Sequence, residues 1–340
     1  MKKLLSLPPH LVDCFHDITG LSREEFFVSS DPAGHRLGSG GGTSWLLSEC
    51  FRCQQVEQDF GCWLSDEPRI LIHAGGQSRR LPAYAPSGKV LTPVPVYRWE
   101  RGQRLSQTLL DVQLPLYEQI MAKAPERLHT MVVSGDVYIR ATQPFGPVPD
   151  TDVVCYGLWL DSSIAKDHGV YVMSRQTPGV LKQMLQKPSV ETLNELQADH
   201  LYLTDIGVWL LSDRAVELLM KRSTDSSGEF CDYDLYGEFG CALGTDATTP
   251  DQELNALTVA VVPLAGGEFY HFGTSREMIS STLAVQNLVN DQRQIMHNDR
   301  KPHPSIFVQN SLTDYPFNPS NQNIWIENSC VPKSWKLTRD

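Results

Sequence analysis

Short apolar runs alternate with amphipathic stretches along the first 300 residues of the chain. Runs rich in branched or aromatic side chains predict β-strands at 26–29, 69–73, 130–134 and 153–160. Near-continuous apolar strands of this length are typical of a parallel sheet that is covered on both faces. Apolar residues at helical spacing predict helices over 44–56, 106–122 and 274–296.

This alternation predicts an open, doubly wound α/β sheet. The middle of the chain adds strands with fewer helices between them, so we expect the sheet to be mostly parallel and partly mixed. The added strands are predicted at 168–173, 181–186, 203–211, 257–263 and 267–271.

The pattern of residue types changes after residue 300. Short strand-like runs alternate with Asn and Pro, and no helical period is present. We therefore expect an α/β domain over 1–300, followed over 301–340 by the beginning of a truncated, β-helix-like domain.

The charge balance limits the partners of the chain. Its 340 residues include 29 basic and 40 acidic side chains, a net charge of −11. That balance disfavours binding to nucleic acid or to an anionic membrane surface. No apolar run approaches the ~18 residues of a membrane-spanning helix. The apolar start is broken by Pro8 and Pro9 and is too short for a signal peptide, so we expect a cytoplasmic protein.

Two glycine-rich segments follow two of the predicted strands. They are GSGGGT at 38–43 and HAGGQSRRL at 73–81. Glycine lets backbone N–H groups approach a phosphate closely, and a helix that begins behind such a loop adds partial positive charge. One such segment alone is often an ordinary tight turn. Two in succession favour a phosphate-binding edge, although neither matches the P-loop motif.

Basic residues begin directly at the second glycine segment. Between 79 and 104, six residues are basic and one, Glu100, is acidic. The six basic residues are Arg79, Arg80, Lys89, Arg98, Arg101 and Arg104. This segment could be a solvated basic loop. Its position beside the glycines favours a positively charged surface that binds a polyphosphate.

Asp136 closely follows the predicted strand at 130–134, in the sequence VVSGD. Carboxyl ends of parallel strands face the crevice where α/β sheets bind ligands. A carboxylate there can hold Mg²⁺ against nucleotide phosphates. The alternative is an ordinary turn residue at a strand end.

These motifs resemble those of the sugar nucleotidyltransferases, and their order along the chain is also that of the family. GGQSRRL resembles the glycine loop of that family. Lys89 in SGK resembles its signature lysine, and Asp136 resembles its metal-binding carboxylate. QKP at 186–188, the segment around Asp205 and Gly207, and FYHFGTSREM at 269–278 resemble the later motifs.

Longer motifs narrow the resemblance to one branch. SSDPAGHRLGSGGGT, SGDVYI, DIGVWLLS and IWIENS are similar to segments of the fucose-1-phosphate guanylyltransferases, especially the bifunctional L-fucokinase/GDP-fucose pyrophosphorylases. The resemblance implies the nucleotide-diphospho-sugar transferase fold for 1–300. It also implies transfer of GMP from GTP to L-fucose 1-phosphate, giving GDP-L-fucose and pyrophosphate, in fucose salvage.

The resemblance implies roles for individual residues. Lys89, Arg80 and Asp136 would be the catalytic residues, and Asp136 would hold Mg²⁺. The nucleotide would be bound by Gly40, Gly41, Gly42, Thr43, Gly75, Gly76, Gln77, Ser78 and Arg79. The sugar phosphate would be bound by His168, Gly169, Lys187, Asp205 and Gly207.

The chain departs from the wider family at several motif positions. Gly88 precedes the signature lysine where the family has Pro, and Gln186 replaces a sugar-contacting Glu. His271 stands where a second metal-binding Asp is common. Two other functions stay open: a uridylyltransferase acting on another sugar 1-phosphate, and a non-catalytic homologue that binds nucleotide sugars.

The bifunctional proteins also carry a sugar-kinase domain of several hundred residues. The final ~40 residues of this chain are too few for such a domain. We therefore expect a fragment that transfers GMP without phosphorylating L-fucose. The 304–340 tail should pack against the catalytic domain, with a strand edge available for self-association into a homo-oligomer.

Overall fold

The computed structural model describes residues 1–76, 79–94, 107–144, 146–289 and 303–337. Several predictions fall outside these residues. They are the nucleotide-binding roles of Gln77 and Ser78, the cationic roles of Arg98, Arg101 and Arg104, and the end of the helix predicted to reach 296.

The chain divides into two compact units. The first comprises 1–77, 113–135 and 139–269, and the second comprises 78–112, 136–138 and 270–340. The second unit joins residues from both sides of position 300, and the domain boundary predicted there stays a prediction.

Fifteen strands occur in the described residues. They are β1 (Lys2–Ser6), β2 (Phe26–Ser29), β3 (Arg69–His73), β4 (Thr130–Ser134), β5 (Val137–Ala141), β6 (Val153–Leu158), β7 (Gly169–Ser174), β8 (Gln183–Gln186), β9 (His200–Leu211), β10 (Val259–Pro263), β11 (Gly267–His271), β12 (Ile306–Gln309), β13 (Leu312–Thr313), β14 (Ile324–Glu327) and β15 (Cys330–Val331).

The described residues also form ten α-helices. They are α1 (Pro9–Val12), α2 (Phe15–Thr19), α3 (Gly38–Gln54), α4 (Phe60–Asp66), α5 (Leu109–Met121), α6 (Ser162–Ala165), α7 (Val190–Asp199), α8 (Asp213–Arg222), α9 (Gln252–Asn255) and α10 (Ser275–Val289). Single turns of 3₁₀-helix lie at Pro82–Tyr84 and Gly240–Ala242.

A nine-stranded sheet forms the centre of the first unit, in the order β10–β6–β9–β4–β3–β1–β2, with β7 joining β9 to β8. Strands β2, β1, β3 and β4 run parallel to one another, as do β10 and β6. Strand β9 is antiparallel to β4, β6 and β7. The prediction of a mixed α/β fold with a mainly parallel sheet is confirmed.

The apolar runs located most strands closely. The predicted strands at 26–29, 69–73, 130–134 and 267–271 have the observed bounds, whereas β6 ends at Leu158 rather than at 160. Pro115 lies inside the helix predicted over 106–122, and a proline there is expected to kink or divide a helix. Helix α5 nevertheless runs undivided through Pro115.

Strand β1 was missed because it begins with two lysines. It lies between β2 and β3, where the side chain of Lys3 is only 5% exposed. Its ammonium is paired with the carboxylates of Glu25 and Glu118. Ion pairing of this kind is what allows a charged side chain to be buried.

The first glycine segment is not a loop, and that prediction was wrong. Gly38–Thr43 form the beginning of α3, and Gly40–Thr43 are buried. The amides of Gly40 and Gly41 donate to the carbonyl of Tyr233 over 2.9 and 3.0 Å. A Cβ at Gly41 would lie 2.4 Å from the carbonyl oxygen of Cys231, so the glycines allow this close approach.

The second unit has an apolar core of its own. Buried side chains from four parts of the chain meet there, and they are Leu81, Tyr84, Val94, Leu109, Tyr138, Phe272, Met278 and Val285. Trp325 of β14 packs against this cluster.

The C-terminal strands of the second unit stack in parallel pairs. Phe307 of β12 lies opposite Trp325 of β14, and Leu312 of β13 lies opposite Cys330 of β15. Each pair is 18 residues apart in the chain. Two stacked pairs do not establish a β-helix, which stays a prediction.

Throughout the part of the chain that the structure describes, no helix is both long enough and apolar enough to cross a bilayer.

Candidate functional site

Two residues predicted to be catalytic, Lys89 and Asp136, form an ion pair in the second unit. Lys89 Nζ lies 2.9 Å from Oδ2 of Asp136, and the two side chains are 14% and 20% exposed. Lys89 has a left-handed backbone, with φ of +58°, after Gly88 with φ of +63°. The chain thus makes a tight turn that directs the lysine toward the carboxylate that follows β4.

His271 lies between two carboxylates. Its Nε2 is 3.6 Å from Oδ1 of Asp136, and its Nδ1 is 2.9 Å from Oε1 of Glu277. Thr274 caps the beginning of α10 by accepting the amide N–H of Glu277 over 3.1 Å, as the threonine of a capping box does. The first turn of α10 thereby places Glu277 beside the imidazole.

These contacts shift three pKa values. Burial raises the pKa of Asp136, but the hydrogen bond and charge of His271 and the charge of Lys89 outweigh it, so the pKa lies well below its usual range. Burial lowers the pKa of His271, yet Asp136 and Glu277 raise it above its ordinary value. Burial likewise opposes ionisation of Glu277, but His271 lowers its pKa overall. Asp136 is therefore an ionised carboxylate at neutral pH.

Arg79 and Arg80 are exposed in the turn that precedes this cluster. The carbonyl of Arg80 accepts the amide N–H of Ser275 over 2.9 Å, which ties the turn to the beginning of α10. The charge of Arg80 also contributes to the lowered pKa of Glu277. Two cationic side chains thus remain accessible to an anion.

In the first unit, Gly75 and Gly76 follow β3 and are both exposed. A Cβ at Gly75 would lie 2.7 Å from Oγ of Ser6, whereas a Cβ at Gly76 would meet nothing within 4 Å. Close packing therefore explains why position 75 is glycine but not why position 76 is. The second leaves open space beside the backbone, as the approach of a phosphate would require.

The residues predicted to bind the sugar phosphate come together in the first unit, around β7, β8 and β9. A Cβ at Gly169 would lie 3.1 Å from Nε2 of Gln186 and 3.3 Å from Cβ of Asp205. The amide of Lys187 donates to the carbonyl of His168 over 3.0 Å. Within the described residues, Nε2 of Gln186 is a buried donor with no hydrogen-bond partner.

Asp205 stabilises an irregularity in the sheet. The pairing of β6 with β9 shifts register between Tyr156 and Gly157, which leaves Gly207 outside the ladder with φ of +70°. Oδ1 of Asp205 accepts the amide N–H of Gly207 over 2.8 Å and the indole N–H of Trp209 over 3.2 Å. Burial raises the pKa of Asp205 to about 6.

His73, at the end of β3, is a packed residue. Its Nε2 lies 2.8 Å from the hydroxyl of Thr43, and burial lowers the pKa of the imidazole to about 4. It is therefore neutral at physiological pH. Thr43 also donates to the carbonyl of Ser39, so its hydroxyl is engaged within the protein.

The described residues contain no group of three or more His, Cys, Asp and Glu side chains arranged to hold a metal ion. Mg²⁺ commonly uses one or two carboxylates, waters and substrate phosphates rather than a cage built from protein alone. The ionised carboxylate of Asp136 fits that donor set. His271 is a softer ligand than the Asp common in the wider family.

An open α/β sheet with functional side chains after its strands defines a class of proteins that bind ligands at the carboxyl ends of those strands. Within that class, the chain belongs to the family of the Fucose pyrophosphorylase domain, whose family model matches residues 64–252. The match includes Lys89, Asp136 and Asp205 but neither His271 nor β14.

Curated relatives agree with this membership. The chain is 59% identical over 338 residues to the L-fucokinase/L-fucose-1-P guanylyltransferase of Bacteroides fragilis, which covers 99% of this chain and 36% of that protein. It is 24% identical over 316 residues to the fucose-1-phosphate guanylyltransferase of Mus musculus, which covers 75% of this chain and 50% of that protein. The chain therefore spans half or less of the length of these two relatives.

Among solved structures, a UDP-glucose pyrophosphorylase complexed with UDP-glucose matches with a TM-score of 0.36 and 13% identity. The match covers 84% of this chain and 98% of that one. HddC from Yersinia pseudotuberculosis matches with a TM-score of 0.37 and 9% identity, over 81% of this chain and 73% of that one.

Proposed function

We propose that this chain transfers GMP from GTP to L-fucose 1-phosphate, giving GDP-L-fucose and pyrophosphate. The observation that carries the proposal is 59% identity over nearly the whole chain to a protein named for that guanylyltransferase activity. The pairing of Lys89 with Asp136 supports it, because both are the residues that the family resemblance predicts to be catalytic.

The reaction is an in-line displacement at phosphorus. An oxygen of the sugar phosphate attacks the α-phosphorus of GTP and forms the new O–P bond. The bond between that phosphorus and the bridging oxygen breaks, and pyrophosphate leaves with the electron pair. The nucleophile is already an anion at neutral pH, so no general base is required. Repulsion between two anions is the obstacle, and alignment with charge neutralisation overcomes it.

Cationic side chains of the second unit supply part of that neutralisation. Lys89 is mostly buried and fixed by Asp136, so its ammonium suits the α-phosphate, where the charge distribution changes during transfer. Arg80 and Arg79 are exposed and suit phosphate oxygens that are bound throughout. In the first unit, Gly75 and Gly76 would offer backbone amides to a phosphate group.

We further propose that Asp136 holds a divalent cation, Mg²⁺ by its preference for oxygen ligands. When bound, the ion would neutralise phosphate charge. The low pKa of Asp136 keeps the carboxylate ionised over the whole physiological range, as binding of a cation requires. Lys89 and His271 already face the two oxygens of this carboxylate, so they set its orientation.

For the sugar phosphate, we propose the residues around β7, β8 and β9. Lys187 is exposed and offers a positive charge, with no ion pair among the described residues. The buried amide of Gln186 is a donor that a sugar hydroxyl would satisfy. His168 and Gly169 form the adjoining backbone.

The test is pyrophosphate release from a panel of four nucleoside triphosphates combined with several sugar 1-phosphates. We expect release to depend on both GTP and L-fucose 1-phosphate. Faster release with UTP and another sugar 1-phosphate would replace the proposed substrates. No release with any pair, together with measurable binding of GDP-L-fucose, would identify a non-catalytic binding protein instead.

A further inference from the structure

A glutamate in the C-terminal strands reaches the segment that precedes the predicted catalytic lysine. The carboxylate of Glu327, at the end of β14, accepts the phenolic O–H of Tyr84. The same oxygen accepts the indole N–H of Trp325 over 3.1 Å. Tyr84 and Glu327 are 243 residues apart in the chain and belong to the same compact unit.

The Tyr84 side chain is held at both ends. Its ring is buried in the apolar core of the second unit, and only 7% of the residue is exposed. Burial, followed by the hydrogen bond to Glu327, raises the pKa of the phenol, so the hydroxyl stays protonated and donates. Trp325 packs against the same core. The phenol therefore has one fixed position and one fixed acceptor.

Tyr84 in turn anchors the turn that ends at Lys89. Its carbonyl accepts the amide N–H of Lys89 over 3.4 Å and the hydroxyl of Ser87 over 3.0 Å. The amide N–H of Gly88 donates to the carbonyl of Ala85 over 3.2 Å. A backbone with two successive left-handed residues, Gly88 and Lys89, persists only where its surroundings hold it in place.

Resting on the proposed function, we propose that Glu327 is a positioning residue for Lys89. The carboxylate fixes the Tyr84 hydroxyl, and the Tyr84 carbonyl fixes the turn. The turn then directs the Lys89 ammonium to Asp136, 2.9 Å away. The C-terminal strands thereby complete the catalytic centre, although Glu327 lies outside residues 64–252, the part of the chain that the family model matches.

The test compares Glu327→Ala with Glu327→Gln and Ile326→Ala in the full chain. Gln keeps an oxygen that accepts the Tyr84 hydroxyl. Ile326 is the buried neighbour of Glu327 in β14, so its truncation loosens the strand without removing that acceptor. For Glu327→Ala we expect kcat to fall about tenfold with KM for GTP within about twofold. Glu327→Gln should retain most of the unsubstituted kcat. Ile326→Ala should also retain kcat, although its thermal midpoint should be similar to or lower than that of Glu327→Ala.

A double-mutant cycle separates positioning from general loosening. Once Lys89 has been replaced in Lys89→Met, Glu327→Ala should cause no further loss of kcat, because it acts through that lysine. Equal losses for Glu327→Ala and Ile326→Ala, or additive effects with Lys89→Met, would overturn the proposal.

A measurement without turnover keeps this inference apart from the proposed reaction. Acylation of the Lys89 amine by a succinimidyl ester can be followed by peptide mass spectrometry. We expect several-fold faster labelling of Lys89 in Glu327→Ala than in the unsubstituted chain, and no such increase in Ile326→Ala. Unchanged labelling in Glu327→Ala would count against positioning even if the substrates of the enzyme proved different.

Discussion

Nζ of Lys89 and Oδ2 of Asp136 are 2.9 Å apart in a setting that is mostly shielded from water. One positive and one negative charge there balance each other, so removing either leaves the other without its partner. The carboxylate thus holds the lysine in place, and under the proposed function it would also bind a cation. Loss of the carboxylate should therefore lower the stability of the fold as well as the rate of the reaction.

For Asp136→Asn, we expect turnover to fall by about 10²-fold or more, in line with the loss of one fixed electrostatic group from an active site. The amide neither pairs with Lys89 nor binds Mg²⁺ well. Pyrophosphate release measures the loss, and a thermal midpoint checks the fold. Asp150→Asn is the matched control, because Asp150 is largely exposed and its ion pair with Arg127 spans 3.8 Å. Normal turnover in Asp136→Asn would show that Asp136 is only a turn residue.

Lys89→Met and Arg80→Ala should differ in kinetics. Lys89 is placed for the phosphate that reacts, so we expect its loss to lower kcat about 10²-fold. Arg80 is exposed and suits phosphates that are bound before and during transfer, so its loss should mainly raise KM for GTP. Steady-state kinetics over a range of GTP concentrations separates the two. Loss of GTP affinity alone in both variants would contradict these roles.

Gly75→Ala and Gly76→Ala should separate packing from ligand approach. A methyl at Gly75 would crowd Ser6, so we expect loss of about 1–3 kcal/mol in the free energy of unfolding. A methyl at Gly76 has open space, so stability should be unchanged while KM for GTP rises. Urea unfolding and GTP titration provide the two measurements. Unchanged GTP kinetics in Gly76→Ala would argue against a nucleotide near this backbone.

Asp205 should make stability depend on pH. Its pKa is about 6 in the folded chain, against an ordinary value of 3.8. The folded chain holds this proton more tightly, so stability conferred by the protonated form is lost as pH rises from about 4 to 6 and is constant above that. Relative to Asp205→Asn, the unsubstituted chain should lose on the order of 3 kcal/mol over that interval. Urea unfolding of both proteins between pH 4 and pH 8 tests this, and parallel pH profiles would contradict it.

The sequence predicted the fold well where the contacts of a residue are local, and poorly where its contacts lie far away in the chain. Strands such as β3 and β4 were located from their own apolar residues. Strand β1 was missed because Lys3 is buried with Glu118, 115 positions away, and no local pattern reveals that pair. The loop expected at Gly38–Thr43 became helix because those glycines pack against the backbone of Tyr233. Tertiary contact there overrides the local preference of glycine.

The candidate site was predicted only in part for the same reason. Lys89 and Asp136 were singled out by motif, and the structure pairs them. His271 was noted as a departure from the family pattern, but its contact with Glu277 requires the geometry of α10. Tyr84 and Glu327 carry no motif that links them. Only a charged residue in an otherwise apolar strand, IWIE, could have drawn attention to Glu327.

Because the C-terminal strand pairs share an 18-residue spacing, the length of the intervening turn is more constrained than its composition. Phe307 and Trp325 lie in the same column, with ring centroids 5.2 Å apart. Side chains alternate between the two faces of a strand, so a one-residue insertion or deletion between 314 and 323 would turn Trp325 and Glu327 to the opposite face. Natural relatives of this chain should therefore tolerate substitutions in that turn far better than changes in its length.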